Sequence, residues 1–169
     1  KATKDDVDLK QFEALGFHHY WYSAQKKGYS GVAVFSKIKP DNVVYGNGHS
    51  ASDDEGRVLQ LDFGDIRLIN AYFPSGTSGD ERQAFKYVWL DEFHTYLNKL
   101  KKKFPKIILV GDYNIAHKEI DIHDPKGNKK SSGFLPEERS WMDNFFAGGW
   151  VDSFREFHPE PHRYSWWSQ

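Results

Sequence analysis

The sequence predicts a layered α/β or α+β sandwich, and two observations carry that reading. Strand-like runs cluster early in the chain, whereas strands and helices alternate later, an order that fits sheet layers covered by helices. No internal repeat, low-complexity stretch or linker divides the 169 residues, which amount to one domain and can bury a sizeable core.

Taken in order, Asp5–Leu15 reads as a short helix. Phe17–Ser23, Gly31–Ser36 and Val58–Phe63 read as strands, being rich in aromatic and β-branched residues between turn-forming ones. Ile66–Tyr72 is a further strand, and it must stop near Tyr72 because Pro74 cannot donate to a ladder. Asp80–Lys101 is expected to be a helix, since Val88, Leu90, Phe93, Leu97 and Leu100 recur at helical spacing. Lys99–Lys103 then reads as a basic last turn that complements the helix dipole, with no further role. Ile107–Val110, bounded by Pro105 and Gly111, reads as a short strand buried on both faces. Pro136–Phe146 is a helix opened by proline and two acids, as helix starts prefer. A last strand is expected at Tyr164–Trp167.

Composition narrows the function classes. An aromatic content of 17% is incompatible with a disordered chain. The absence of cysteine removes disulfides, thiolate nucleophiles and Cys-based zinc sites, and suits a reducing compartment. No apolar run reaches membrane-spanning length and no secretory signal is evident, so the chain reads as soluble and intracellular. A net charge of −1 does not announce a nucleic-acid binder, but phosphate contacts are made by local clusters rather than by the total. One such cluster, Asp124 to Gly133, holds Lys126, Lys129 and Lys130 in a loop punctuated by Pro and Gly.

The chemistry-bearing signal is Gly111-Asp112-Tyr113-Asn114 at the exit of the Ile107–Val110 strand. Side chains two apart on extended backbone point the same way, so Asp112 and Asn114 can converge on a charged centre such as a phosphate with a metal. A plain strand-end turn is the competing explanation, because Asp and Asn are favoured there for capping alone. Tyr72 stands at the exit of another strand, and two strand ends that both offer polar groups point to a ligand site.

These segments together resemble the exonuclease III and abasic-site (AP) endonuclease family of the endonuclease/exonuclease/phosphatase superfamily. The motifs that carry the resemblance are Gly28–Ser36, Glu55–Val58, Asn70–Pro74, Gly111–His117, Pro125–Lys130, Gly133–Arg139 and Asp152–Arg155, seven in family order. The resemblance implies a DNase I-like four-layer sandwich, with two packed sheets, mostly antiparallel or mixed, flanked by helices. It implies hydrolysis of the DNA phosphodiester 5′ to an abasic site, and removal of 3′ nucleotides or 3′ blocking groups, with Mg²⁺ or Mn²⁺ as cofactor. Asp112 then looks like the group that aligns or deprotonates the attacking water, Asn114 like its neighbour on the scissile phosphate, and Tyr72 like a hydroxyl donor to that phosphate. Asp112 and Asn114 are also the implied metal ligands. DNA-contacting positions carried over are Gly28, Tyr29, Arg57, Asn128, Lys129, Lys130 and Trp166, the last lining a pocket for the extruded sugar. Trp167 and His117 read as structural.

The resemblance also implies ligands this chain does not contain: a glutamate and an asparagine upstream, and an aspartate and a His–Asp partnership downstream. Ser75 stands where many relatives have Asn or Gln. The chain therefore looks like the central portion of a domain truncated at both ends, residues 1–169 forming a single partial domain, expected to be inactive or poorly folded alone. Expected partners are double-stranded DNA with abasic sites or 3′ ends, without a membrane and as a monomer, in the cytoplasm and nucleoid of a bacterium or in a nucleus. Two other readings stand beside this one: a phosphatase of the same superfamily acting on an inositol phosphate or lipid headgroup, and a catalytically incomplete DNA-binding fragment.

Overall fold

Burial along Ile66–Tyr72 (β5) alternates residue by residue, as expected of a strand with two unlike faces, and it lies inside a four-stranded sheet. In the computed structural model, which describes residues 3–167, that sheet runs β3 (Asn42–Tyr45), β4 (Val58–Phe63), β5 and β6 (Lys106–Asp112). β3, β4 and β5 pair antiparallel, whereas β5 and β6 are parallel. A parallel pair cannot be closed by a tight turn, and the 22-residue helix α3 (Asp80–Lys101) supplies the connection. Its first turn carries Asp80 and Glu81 and its last Lys99 and Lys101, matching the dipole. A second sheet pairs β1 (His18–Ser23) with β2 (Gly31–Ser36), and Asn70 Nδ2 of β5 donates to the Ala33 carbonyl of β2 at 3.0 Å. The expectation of two sheets with flanking helices is met.

The chain divides into two compact units. Lys1–Phe73 with Asp91–Tyr113 contains both sheets and the second half of α3. Its core joins Val58, Leu59 and Leu61 of β4, Ile69 and Ala71 of β5, and Phe73 to Phe93, Leu97 and Leu100 of α3. Phe73 meets Phe93 edge-on at 5.5 Å and stacks on Tyr113 at 4.5 Å. Full burial of such a ring is worth about 1.5–3 kcal/mol. Two polar side chains that this core encloses, Gln60 and Arg67, are partnered. Gln60 Nε2 donates to the Gly46 carbonyl and to the Tyr96 hydroxyl, both at 2.7 Å. Arg67 grips Asp62 in bidentate fashion at 2.6 and 2.7 Å and lies over the Phe104 ring.

Pro74–Leu90 with Asn114–Gln169 forms the other unit. It contains the first half of α3, α4 (Pro136–Ala147) and α5 (Ser153–Phe157). Trp141 stacks on Phe145 at 5.2 Å and Phe145 on Trp150 at 5.0 Å. α4 opens on Pro136 as expected, and Glu138 accepts the N–H of Leu135 at 3.0 Å. Asp152 caps α5 by accepting the N–H of Arg155. The Arg155 guanidinium gathers the Asp121 carboxylate and the carbonyls of Ile120, His158, Glu160 and Arg163, which explains why that motif needs arginine.

Several sequence expectations are corrected. Among the described residues β6 is not covered on both faces: it is the last strand in the order of its sheet, and Ile108 and Val110 are 49% and 40% exposed. An unbroken apolar run shows that a strand is apolar, not where it stands in the sheet. Tyr164–Trp167 is not a strand, and Trp167, expected in the core, is 67% exposed with its ring edge-on to Tyr164. The helix expected at Asp5–Leu15 is shorter, α1 spanning Leu9–Ala14. The sequence reading lacks β3, α2 (Ser50–Asp53) and α5, all too short for periodicity to register and held by pairing and capping.

Candidate active site and nucleic-acid interface

Parallel pairing sets the centre of the first unit's site. Tyr72 and Asp112 are register partners at the C-terminal ends of β5 and β6, and the N–H of Phe73 donates to the Asp112 carbonyl at 2.9 Å. Register partners project from the same face of a sheet, so phenol and carboxylate leave it together. Gly111 makes this close approach feasible. It lies opposite Ala71 with φ +128°, and a Cβ there would sit 2.0 Å from the Ala71 carbonyl oxygen. The glycine before Asp112 is thus fixed by strand packing.

Behind Tyr72 lies a relay of polar contacts joining three separate sequence segments. Ser30 Oγ donates to the Glu55 carbonyl at 2.6 Å, Arg57 Nε to the Glu55 carboxylate at 2.6 Å, and Arg57 Nη1 to the Tyr72 carbonyl at 2.8 Å. The Tyr72 N–H returns a bond to the Arg57 carbonyl, and the guanidinium lies 5.1 Å from the phenol ring centre. Arg57 is only 3% exposed. The position read as a backbone-phosphate contact is therefore occupied by a buried arginine that holds Tyr72. Gly28 and Tyr29 stand just before Ser30 in an exposed turn, Gly28 with φ +70° and Tyr29 half-buried under Lys26.

The second unit carries Asn114. Its φ of +50° takes the chain out of extended backbone, so the period-two alternation used to aim Asn114 alongside Asp112 ends at Asp112. Chain connectivity alone still keeps their Cα atoms within about 7 Å. The Asn114 carbonyl accepts from Lys86 Nζ at 2.8 Å. In the same unit Asn128 sits in a turn closed on Asp124: its N–H and Nδ2 both reach the Asp124 carbonyl, and Gly127 N–H reaches the Asp124 carboxylate. Lys129 and Lys130 extend from that turn into solvent. Trp166 is 73% exposed. His117 serves packing and pairing, its ring 2.8 Å from the Asp143 carboxylate and against Phe146.

Asp112 and Asn114 offer oxygen donors of the kind a hard divalent cation prefers. Among the described residues, no group of three or more His, Asp or Glu side chains could hold a metal ion. No helix among them is long and apolar enough to cross a membrane.

Sequence reasoning gives no role to Lys86 and Glu138, a fully buried ion pair with Nζ and Oε1 2.6 Å apart. A signal is present: Lys86 falls on the buried stripe of α3 with Leu90, Phe93 and Leu97, where a charge is out of place.

Comparison with known proteins agrees with the motifs. An exodeoxyribonuclease of Bacillus subtilis is 44% identical over 169 residues, 99% of this chain and 66% of that protein. The DNA repair nuclease APEX1 of Danio rerio is 42% identical over 153 residues, 89% of this chain and 49% of that protein. The solved structure of an AP endonuclease from Archaeoglobus fulgidus superposes with a TM-score of 0.86 at 26% identity, covering 99% of this chain and 65% of the other. The chain thus spans about half to two thirds of the length of these relatives. Residues 2–168 match the Endonuclease/Exonuclease/phosphatase family, and the chain belongs to it.

Proposed function

We propose that the protein carrying this chain is a DNA repair nuclease that hydrolyses the phosphodiester 5′ to abasic sites and removes 3′ nucleotides or 3′ blocking groups. The observation that carries this reading is the pairing of Tyr72 with Asp112 at adjacent strand ends, followed at once by Asn114. Water is a poor nucleophile towards a phosphodiester, and the Asp112 carboxylate is the group that aligns it and takes its proton. The transition state gathers negative charge on the phosphate oxygens, which the Tyr72 hydroxyl and the Asn114 carboxamide stabilise by donating hydrogen bonds. Relatives named as exodeoxyribonuclease and DNA repair nuclease support the substrate class.

Gly28, Tyr29, Asn128, Lys129, Lys130 and Trp166 would meet the DNA, the lysines at phosphates and Trp166 at the extruded sugar, with Arg57 acting through Tyr72. A missing base lowers the energy needed to swing the sugar out. Enzymes of this family depend on a divalent metal. Mg²⁺ is the cofactor proposed here, with Mn²⁺ as substitute and Asp112 and Asn114 among its ligands. Residues 1–169 are part of one such domain, and the protein acts as a monomer in the cytoplasm or nucleus.

The test is incision of a duplex carrying one abasic-site analogue by the full-length protein. Cleavage 5′ to the lesion, lost with EDTA and in Asp112→Ala, is expected. Phosphate release from an inositol phosphate without incision would instead assign the phosphatase chemistry, and DNA binding without turnover would mark a non-catalytic module.

A further inference from the structure

Within the unit of Pro74–Leu90 and Asn114–Gln169, one buried ion pair touches both the Asn114 turn and the end of the basic loop. Lys86 and Glu138 are 0% exposed, and Lys86 Nζ divides its donors between Glu138 Oε1 at 2.6 Å and the Asn114 carbonyl at 2.8 Å. Glu138 Oε2 accepts from the N–H groups of Gly133 at 2.6 Å and Leu135 at 3.0 Å. Gln83 Nε2 donates to Glu138 Oε1 at 3.1 Å. The Ala116 N–H then donates to the Gly133 carbonyl at 2.8 Å, tying the two backbone segments together.

Burying two charges costs several kcal/mol per ion before their attraction is counted, and apolar residues of like volume often serve stability as well. Capping of α4 explains the Glu138 contact with Leu135, but not the presence of a lysine. What the lysine adds is a fixed donor on the carbonyl of Asn114, a non-glycine residue in left-handed conformation. From the other side, a Cβ at Gly133 would lie 3.1 Å from that same carbonyl oxygen.

We propose that Lys86 and Glu138 are positioning residues for the Asn114 carboxamide: Lys86 fixes the Asn114 peptide, and Glu138 fixes the Gly133–Leu135 backbone on which that turn rests. This rests on the reading of Asn114 as a phosphate contact.

The experiment compares the full-length parent, the double variant Lys86→Met with Glu138→Gln, Lys86→Arg and Asn114→Ala on the abasic duplex, with amide hydrogen exchange on the free proteins. The double variant removes both charges together, leaving no lone buried ion. A misplacement of about 1 Å costs on the order of 100-fold in rate. The double variant is therefore expected to lose about 10- to 100-fold in kcat, with KM within about threefold of the parent. Exchange at the Ala116 amide should accelerate while the amides of β4 and β5 keep their protection. Lys86→Arg, which keeps charge and donors, should stay within about threefold of the parent kcat, and it carries the test alone if the double variant does not fold. A folded double variant with parental kcat, or a folded Lys86→Arg that loses about 10-fold or more in kcat, overturns the positioning role. Parental kcat in Asn114→Ala overturns the reading of Asn114 itself, and Ala116 exchange then still reports whether the pair holds the turn.

Discussion

Tyr72 and Asp112 occupy paired positions at the C-terminal ends of two parallel strands, so a phenol and a carboxylate leave the sheet side by side. The arrangement needs no special loop: it follows from a register that also pairs Leu68 with Ile108 and Asn70 with Val110. Tyr72→Phe should keep the fold and lower kcat for abasic-site incision by about 100- to 1,000-fold, the range for loss of one transition-state donor. Single-turnover incision with excess enzyme measures this directly, and a rate equal to the parent would remove the hydroxyl from the mechanism.

Gly111→Ala tests the strand approach rather than the chemistry. Its Cβ would fall 2.0 Å from the Ala71 carbonyl at a backbone φ of +128°. Since the obstacle is backbone, β5 and β6 must separate. A loss of about 3 kcal/mol or more is expected, read as a lowered midpoint in urea unfolding.

Arg57 is a lever on Tyr72 from behind. Arg57→Ala leaves Glu55, 18% exposed, without its guanidinium and takes the donor from the Tyr72 carbonyl. Removing one partner of a largely buried pair costs about 3–5 kcal/mol. The activity of the remaining folded protein should fall as well. Arg57→Lys should recover little of either, because one ammonium cannot span Glu55 and the carbonyl as the planar fork does.

The acid limb of stability should depend on Asp62. Its carboxyl is held below the ordinary carboxylate range chiefly by the hydrogen bonds from Arg67, helped by Asn42 and opposed by partial burial. A depressed folded-state value means that the contribution is full above the unfolded-state titration and fades as pH falls through the folded value. Asp62→Asn should therefore be less stable than the parent near neutrality, and the difference should shrink in acid. Thermal unfolding from neutral pH down into the acid range follows the convergence.

Lys129 and Lys130 should reveal themselves through salt. Alanine at either position should weaken duplex binding across sequences and reduce the slope of log K against log salt by about 0.9 for each phosphate no longer neutralised. Binding titrations at several salt concentrations give that slope, and an unchanged slope would take the lysine away from DNA.

Much of this molecule is legible without its structure. Five strands (β1, β2, β4, β5 and β6) and both long helices (α3 and α4) fall within a residue or two of their observed limits, because each repeats a pattern long enough to recognise. Tyr72, Asp112 and Asn114 announce themselves by standing where apolar runs end. The geometry between them is not legible. Alternation predicts a direction only while backbone stays extended, and Asn114 at φ +50° lies beyond that limit. Arg57 can be matched to a motif but not to a burial, since Tyr72, whose carbonyl its guanidinium reaches, comes fifteen residues later. Trp167 is misplaced by sequence reasoning because aromatic identity alone does not say whether anything covers the ring.

The sequence by itself determined the longer strands, the two long helices and which polar groups end the strands, because these depend on neighbours along the chain. The tertiary structure alone decided that β6 comes last in the order of its sheet, that Tyr72 and Asp112 share a register, and that Lys86 pairs with Glu138 beneath Asn114. Those relations join residues from 28 to 52 positions apart, as in the Lys86 contacts with Asn114 and Glu138. They form only where burial and backbone pairing hold distant segments together, and no local pattern encodes them.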